Sequence, residues 1–292
     1  GLRKQLDIVL EQTQSAMMIV QGDTESAFVG ALASFYQRIP VAHVEAGLRT
    51  YDLSRPFPEE GLRQMISRIT ALNFAPTEGA ANALLQEGIP PEIVYLTGNT
   101  VIDAQKWVID HHRIHAKTSN KKQILVTMHR RENWGNEIEQ ACKAIAHLAS
   151  KYDELEFLFP VHLNPAVKGQ VFPILGNLQN VHLTEPLDYL DMQQALANSW
   201  LALTDSGGIQ EEAPTFGLPV LVLRKETERP EAVNAGCAKI VGTHQSDIIH
   251  SVEFLLNTPK AYENMQAKTN PFGDGKASER IAEVIHSYLQ KG

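Results

Sequence analysis

Trp200-Leu201-Ala202-Leu203-Thr204-Asp205-Ser206-Gly207-Gly208-Ile209-Gln210-Glu211-Glu212-Ala213-Pro214 joins an apolar run of strand length to a Ser-Gly-Gly corner and then to helix-forming residues. That order reads as strand, tight turn and helix N-terminus. Two consecutive glycines let the backbone approach an anion closely, and the first helical amides point at it with the positive end of the helix dipole behind them. The corner therefore suits a phosphate. Glu211 and Glu212 fall in the first turn, within reach of a ribose hydroxyl beside that phosphate. Taken alone, a plain turn with acidic residues at a helix start accounts for the same stretch equally well.

Working outward, the same punctuation recurs along the chain. Ala16–Val20, Val41–Val44, Ala71–Ala75 and Ile93–Leu96 are apolar runs of strand length in the first half. Residues 123–127, 156–159, 180–183, 200–203, 219–222 and 239–241 repeat the pattern in the second. Helical patterns separate them, so each half is expected to be a mostly parallel sheet flanked by helices, an α/β architecture. The polar, basic stretch His115 to Lys122 interrupts the alternation and reads as a linker. The expected division is residues 1–114, a linker 115–122, residues 123–270, and a C-terminal helix in 271–292 that packs back on the first domain. The chain opens on a helix feeding what reads as a central strand, so earlier βα units are expected to be missing from the first domain.

Composition narrows the function. The 292 residues carry a net charge of −8 with 43% hydrophobic and 21% charged residues and no basic tract, which argues against a nucleic-acid binder and for small-molecule partners. Cys142 and Cys237 are far apart and lack metal-ligand spacing. They read as buried reduced thiols of a cytoplasmic protein. No stretch approaches the ~18 consecutive apolar residues of a membrane span. His111, His112 and His115 lie on a polar helix end without an acidic or thiol partner and are expected to be exposed, so no metal is expected.

Sorted by position, the strand ends of the two halves differ. The first half offers Asp23, Glu45 and Glu59, carboxyl groups suited to moving protons; the second offers His129, Arg130, Arg131, His162, Ser206, Gly207, Gly208 and Arg229, donors suited to holding an anion. Open α/β sheets bind ligands at the carboxyl ends of their strands. A cleft between two such sheets would set a phosphorylated leaving group against an acid/base set, which points to chemistry at a carbon bearing a phosphate ester.

Eight motifs, in order, sharpen this: Gly22-Asp23-Thr24, His43-Val44-Glu45-Ala46-Gly47-Leu48-Arg49-Thr50, Phe57-Pro58-Glu59-Glu60, Thr97-Gly98-Asn99-Thr100-Val101-Ile102-Asp103, His129-Arg130-Arg131-Glu132-Asn133, His162-Leu163-Asn164-Pro165, Thr204 to Pro214, and Thr227-Glu228-Arg229-Pro230-Glu231. Together they resemble the non-hydrolysing bacterial UDP-N-acetylglucosamine 2-epimerases across nearly the whole chain. The resemblance implies two Rossmann-like domains in a glycosyltransferase-B-like arrangement and interconversion of UDP-GlcNAc and UDP-ManNAc without a cofactor. The course it implies is elimination of UDP to a 2-acetamidoglucal and re-addition, feeding surface polysaccharide synthesis. Carried over by position, Asp23, Glu45, Glu59 and His129 match the catalytic residues. Ser206, Gly207 and Gly208 match diphosphate contacts and Glu212 the ribose contact, while Arg130, His162 and Arg229 lie in motifs around the nucleotide. A homodimer is the expected assembly. The sequence departs from the family pattern in lacking a Gly-Thr-Arg-Pro-Glu loop, and in Thr24-Glu25-Ser26 and Gly61-Leu62-Arg63, which bear on substrate geometry. The rival readings are a glycosyltransferase of the same fold, a hydrolysing 2-epimerase, and a nucleotide-binding protein with impaired catalysis.

Overall fold

The computed structural model describes residues 2–129 and 135–291. The chain divides into two compact units, Gly1–Ala104 with Phe272–Gly292, and Gln105–Pro271.

In the first unit, α1 (Leu2–Thr13), β1 (Met18–Gln21), α2 (Glu25–Tyr36), β2 (Val41–Val44), α3 (Glu59–Ile69), β3 (Leu72–Ala75), α4 (Glu78–Gln86) and β4 (Val94–Leu96) alternate, and α5 (Thr100–His112) begins here. The strands form one parallel sheet in the order β1-β2-β3-β4. The helix starts follow from local chemistry: Thr24 and Thr77 accept from the backbone N–H three residues on, capping α2 and α4. Val20, Ala27, Ala31, Val41 and Ile66 fill one face of the sheet. On the other, Ala42, Val44, Leu72 and Phe74 pack with Ile281 of the C-terminal helix Ala277–Leu289 (α13). Within the described residues β1 lies at the edge of the sheet and Ile19 is 55% exposed. α2 covers the Val20 side.

The second unit contains β5 (Lys122–Thr127), α6 (Asn136–Lys151), β6 (Leu155–Pro160), α7 (Pro165–Leu175), β7 (Val181–Thr184), α8 (Tyr189–Asn198), β8 (Ser199–Thr204), α9 (Gly207–Glu212), β9 (Val220–Val222), α10 (Pro230–Asn234), β10 (Ala238–Ile240), α11 (Gln245–Asn257) and α12 (Pro259–Met265). Its six strands are parallel in the order β10-β9-β8-β5-β6-β7. This is a doubly wound sheet whose strand order reverses between β5 and β8, the place where ligands bind in such folds. Ile124, Val126, Phe157, Phe159, Leu201 and Leu203 form its core with the apolar stripe of α6.

All ten strands expected from the sequence are present. Cys142 and Cys237 are buried, and burial pushes the Cys142 thiol up to about 12. His111, His112 and His115 are exposed. Among the described residues, no helix is long and apolar enough to cross a membrane, and no group of three or more His, Cys, Asp or Glu side chains is arranged to hold a metal ion.

Candidate functional site

In the first unit the candidate carboxylates sit at neighbouring strand ends. β1 and β2 pair in register up to Gln21 and Val44, so Asp23 and Glu45 leave the sheet side by side. Gly22, with φ +73°, turns the chain out of β1, and its amide donates to the Val44 carbonyl at 3.1 Å. A Cβ on Gly22 would lie 3.6 Å from Glu45 Oε2, so the Glu45 carboxylate reaches back over that turn. Glu45 itself has φ +64°, a left-handed conformation uncommon outside glycine. Glu59 opens α3 and is half-buried.

Three residues without an assigned role in the sequence reading hold this set. Arg63 on α3 donates through Nη2 to Asp23 Oδ2 at 2.5 Å, and its Nη1 lies 3.5 Å from Glu60 Oε2. The Glu60 carboxylate is fully buried and accepts from the amides of Thr50 and Tyr51 at 3.0 and 3.1 Å and from Gln64 Nε2 at 2.7 Å. Glu60 thus pins the loop leading to Glu59, while Arg63 fixes Asp23. Their i, i+3 spacing on a helix puts both on one face, a signal present in the sequence. His43, buried inside β2, donates through Nε2 to the Gly22 carbonyl at 2.8 Å. Desolvation, against a raising contribution from that hydrogen bond, holds its imidazole down at about 4, so the ring is neutral near pH 7.

In the second unit, the switch point brings together the ends of β5 and β8. His129 follows β5 and the Ser-Gly-Gly corner follows β8. Ser206 is the N-cap of α9: its Oγ accepts from Ile209 N at 3.5 Å, and its amide donates to Thr204 Oγ1 at 2.9 Å. Gly207 and Gly208 are the first two residues of α9. A Cβ on Gly208 would meet only Ser206 Oγ, at 3.8 Å, so packing within the chain does not demand glycine there. Asp205, fully buried, accepts from the His129 amide through both carboxylate oxygens, at 3.1 and 3.2 Å, and its Oδ1 lies 3.2 Å from His129 Nδ1. His162 follows β6, and its Nδ1 accepts from Asn164 N at 3.1 Å. Arg130, with Arg131, lies outside the described residues.

The adjacent acids Glu211 and Glu212 are both buried and face different partners. Glu211 accepts from Arg229 Nε, which ties the Arg229 guanidinium to α9. Glu212 accepts through Oε2 from Gln193 Nε2 of α8. Gln193 Oε1 in turn accepts from Gln105 Nε2 at 2.8 Å, and Gln105 Nε2 also donates to the Glu212 carbonyl at 3.0 Å. Thr215 Oγ1 closes the network on Gln105 Oε1 at 2.6 Å. Burial pushes the Glu212 carboxyl up to about 7; the Gln193 amide works against that and the Glu211 charge adds to it. The two glutamines are unmarked in the sequence because polar residues at these positions read as solvent-facing.

Parallel α/β sheets with acids at the strand ends of one unit, and an anion-suited corner at the switch point of the other, define a class of enzymes that act on nucleotide-linked substrates. A family model described as UDP-N-acetylglucosamine 2-epimerase matches residues 2–286. A UDP-N-acetylglucosamine 2-epimerase of Salmonella typhimurium is 46% identical over 292 residues, covering 96% of this chain and 78% of the relative. The crystal structure of the Neisseria meningitidis UDP-GlcNAc 2-epimerase bound to UDP-GlcNAc superposes with a TM-score of 0.92 at 45% identity, covering 98% of this chain and 80% of that one. The S. aureus MnaA–UDP co-structure superposes with a TM-score of 0.94 at 45% identity over 99% and 80%. The chain belongs to the UDP-N-acetylglucosamine 2-epimerase family.

Proposed function

We propose that this chain interconverts UDP-GlcNAc and UDP-ManNAc by eliminating UDP and adding it back with the C2 proton on the opposite face. The observation that carries the reading is the family match across residues 2–286, which takes in both the three carboxylates and the Ser-Gly-Gly corner. In the elimination, a carboxylate takes the C2 proton, the C–H pair becomes the C1–C2 double bond of a 2-acetamidoglucal, and the C1–O bond to UDP breaks. Re-addition reverses these steps, with a second acid delivering the proton from the other side. Asp23, Glu45 and Glu59 are the proton handlers, and His129 offsets charge on the departing diphosphate. The C2 proton is weakly acidic, so departure of UDP must be well advanced as it leaves; stabilising the diphosphate then matters as much as base strength.

Ser206, Gly207 and Gly208 hold the diphosphate in this reading. The open space over Gly208 supports it, since a glycine that packing does not require leaves room for a phosphate against the backbone. Glu212 accepts from the ribose hydroxyls, and Arg130, His162 and Arg229 line the nucleotide. The functional division is residues 1–114 for proton handling, 115–122 as linker, 123–270 for UDP, and 271–292 returning to the first domain. A homodimer in the cytoplasm, supplying ManNAc to surface polysaccharide, completes the reading.

The deciding experiment is proton NMR of UDP-GlcNAc with the enzyme in heavy water. Appearance of UDP-ManNAc with deuterium at C2 is the expected result. Free ManNAc with UDP would instead mean hydrolysis, no reaction without an acceptor would favour a glycosyltransferase, and UDP binding without exchange would mean impaired catalysis. Asp23→Asn, Glu45→Gln, Glu59→Gln and His129→Ala should each lower turnover by about 10²-fold or more. Near-wild-type turnover in any two would overturn these assignments.

A further inference from the structure

We infer that Asp205 is a positioning residue that fixes the ring orientation and tautomer of His129, so that Nε2 is the nitrogen offered to the departing group. The inference rests on the proposed role of His129 and deepens it.

The backbone first brings the two residues together. β5 and β8 are parallel neighbours with Thr127 opposite Thr204, and the two threonine hydroxyls lie 2.5 Å apart. The Asp205 amide donates to the Thr127 carbonyl at 3.1 Å, which carries the ladder one residue past the strand end. The second residue beyond β5 therefore meets the first beyond β8, at the point where the strand order reverses. Burial then separates them chemically. The Asp205 side chain is fully buried, whereas that of His129 is 51% exposed.

A buried carboxylate must be satisfied by donors. The His129 amide supplies one, to both oxygens, and this contact alone would serve the fold. The ring is a separate matter. With an anionic oxygen 3.2 Å from Nδ1, the neutral ring is favoured with its proton on Nδ1 rather than with a bare lone pair there. Nε2 then holds the free lone pair. When the half-exposed ring takes a second proton from solvent at Nε2 before substrate binds, the same carboxylate faces the resulting imidazolium, which can donate Nε2–H to a diphosphate oxygen as charge builds there. In the reverse direction the ring gives up that interaction as UDP returns to C1. Asp205 touches no reacting atom in this scheme; it acts through His129.

Asp205→Asn separates this role from a structural one. The side chain is isosteric and its carbonyl oxygen can still accept from the His129 amide, but an amide nitrogen facing the ring donates to Nδ1 and selects the opposite tautomer. The experiment is ¹⁵N NMR of histidine-labelled enzyme at a pH where the ring is neutral, with the His129 signals assigned by their loss in His129→Gln. Kinetics with UDP-GlcNAc run alongside. The expected result is Nδ1–H in the wild type and Nε2–H in Asp205→Asn, with kcat reduced about 10²-fold or more and KM changed by less than about threefold. An Nε2–H tautomer in the wild type, or the same tautomer in both proteins, overturns the inference. So does a changed tautomer with kcat within about threefold of wild type. A variant that no longer binds UDP or melts without cooperativity points to a structural role, and the wild-type tautomer then decides alone. An Nδ1–H wild type that performs no epimerisation overturns the functional reading but not the Asp205–His129 geometry.

Discussion

Gln193→Met tests the buried network around Glu212 at the place where its energetics are most lopsided. Gln193 is fully buried on α8 and gives one donor to Glu212 Oε2 and one acceptor to Gln105. Methionine keeps the volume and removes both. A hydrogen bond to an ionised group contributes roughly 1.5–3 kcal/mol, and Gln105 Nε2 keeps only its bond to the Glu212 carbonyl. The wild-type carboxyl is raised from 4.5 to about 7, which corresponds to roughly 3 kcal/mol between its two protonation states. An acid whose folded pKa is raised contributes stability that is fully present below 4.5 and is lost as pH rises through about 7. Gln193 opposes that loss because it solvates the ionised form. The variant should therefore be destabilised by about 2–4 kcal/mol at about pH 8.5, where the lone carboxylate is buried, and by clearly less at about pH 5, where Glu212 is protonated in both proteins. Urea melts followed by tryptophan fluorescence are the assay, since Trp107 and Trp200 fall in the unit Gln105–Pro271. UDP calorimetry adds a second readout: affinity should weaken in the wild type as pH falls from about 8 to about 6, and that transition should move to higher pH in the variant. An equal loss of stability at both pH values, or a pH-independent UDP affinity, would refute the reasoning.

Two further predictions concern the first unit. His43, held at about 4 against an ordinary 6.5, contributes stability that is present above 6.5 and lost as pH falls through about 4. Its depression is worth roughly 3 kcal/mol, and His43→Gln, which keeps a donor for the Gly22 carbonyl, should flatten acid destabilisation in circular-dichroism melts taken across that range. Gly47→Ala should destabilise by about 3 kcal/mol or more: its φ is +90° and the new Cβ would lie 2.2 Å from the Ala80 carbonyl oxygen, which belongs to backbone and cannot yield. A melting temperature within about 1 °C of wild type would show that this loop shifts freely.

Much of this was legible in the sequence because parallel strands announce themselves. Apolar runs such as Val41–Val44 and Trp200–Leu203, each followed by turn chemistry, give the strand ends directly, and strand ends are where an open α/β sheet keeps its ligands. Asp23, Glu45, His129 and the Ser206 corner therefore stand out without coordinates. The supporting residues do not. Arg63, Glu60, Gln193 and Gln105 are polar residues on helices, and a helix period says which face is apolar but not which polar side chain turns inward to a partner distant in the chain. Asp205 is an intermediate case. It sits inside the most informative stretch of the sequence, but its partner emerges only when β5 is laid against β8 with Thr127 opposite Thr204.

The expected division of charge, acids in one half and anion-holding donors in the other, holds only for the groups that emerge from the strand ends. Beneath them, three are tied to a charged partner from their own unit: Asp23 to Arg63, His129 to Asp205, and Arg229 to Glu211. Arg49, too, is paired within the first unit, with Glu87. Such pairs add little net stability, because desolvating both members offsets their attraction, but removing one member strands the other. Their benefit is directional. A carboxylate that must meet a C–H on one face of a sugar, or an imidazole that must meet a leaving oxygen, is useful only within a narrow range of angles, and a fixed counter-charge sets that angle before substrate arrives. This arrangement implies that Arg63→Met and Asp205→Asn should resemble each other more than either resembles a core substitution: modest changes in UDP affinity and large losses in turnover.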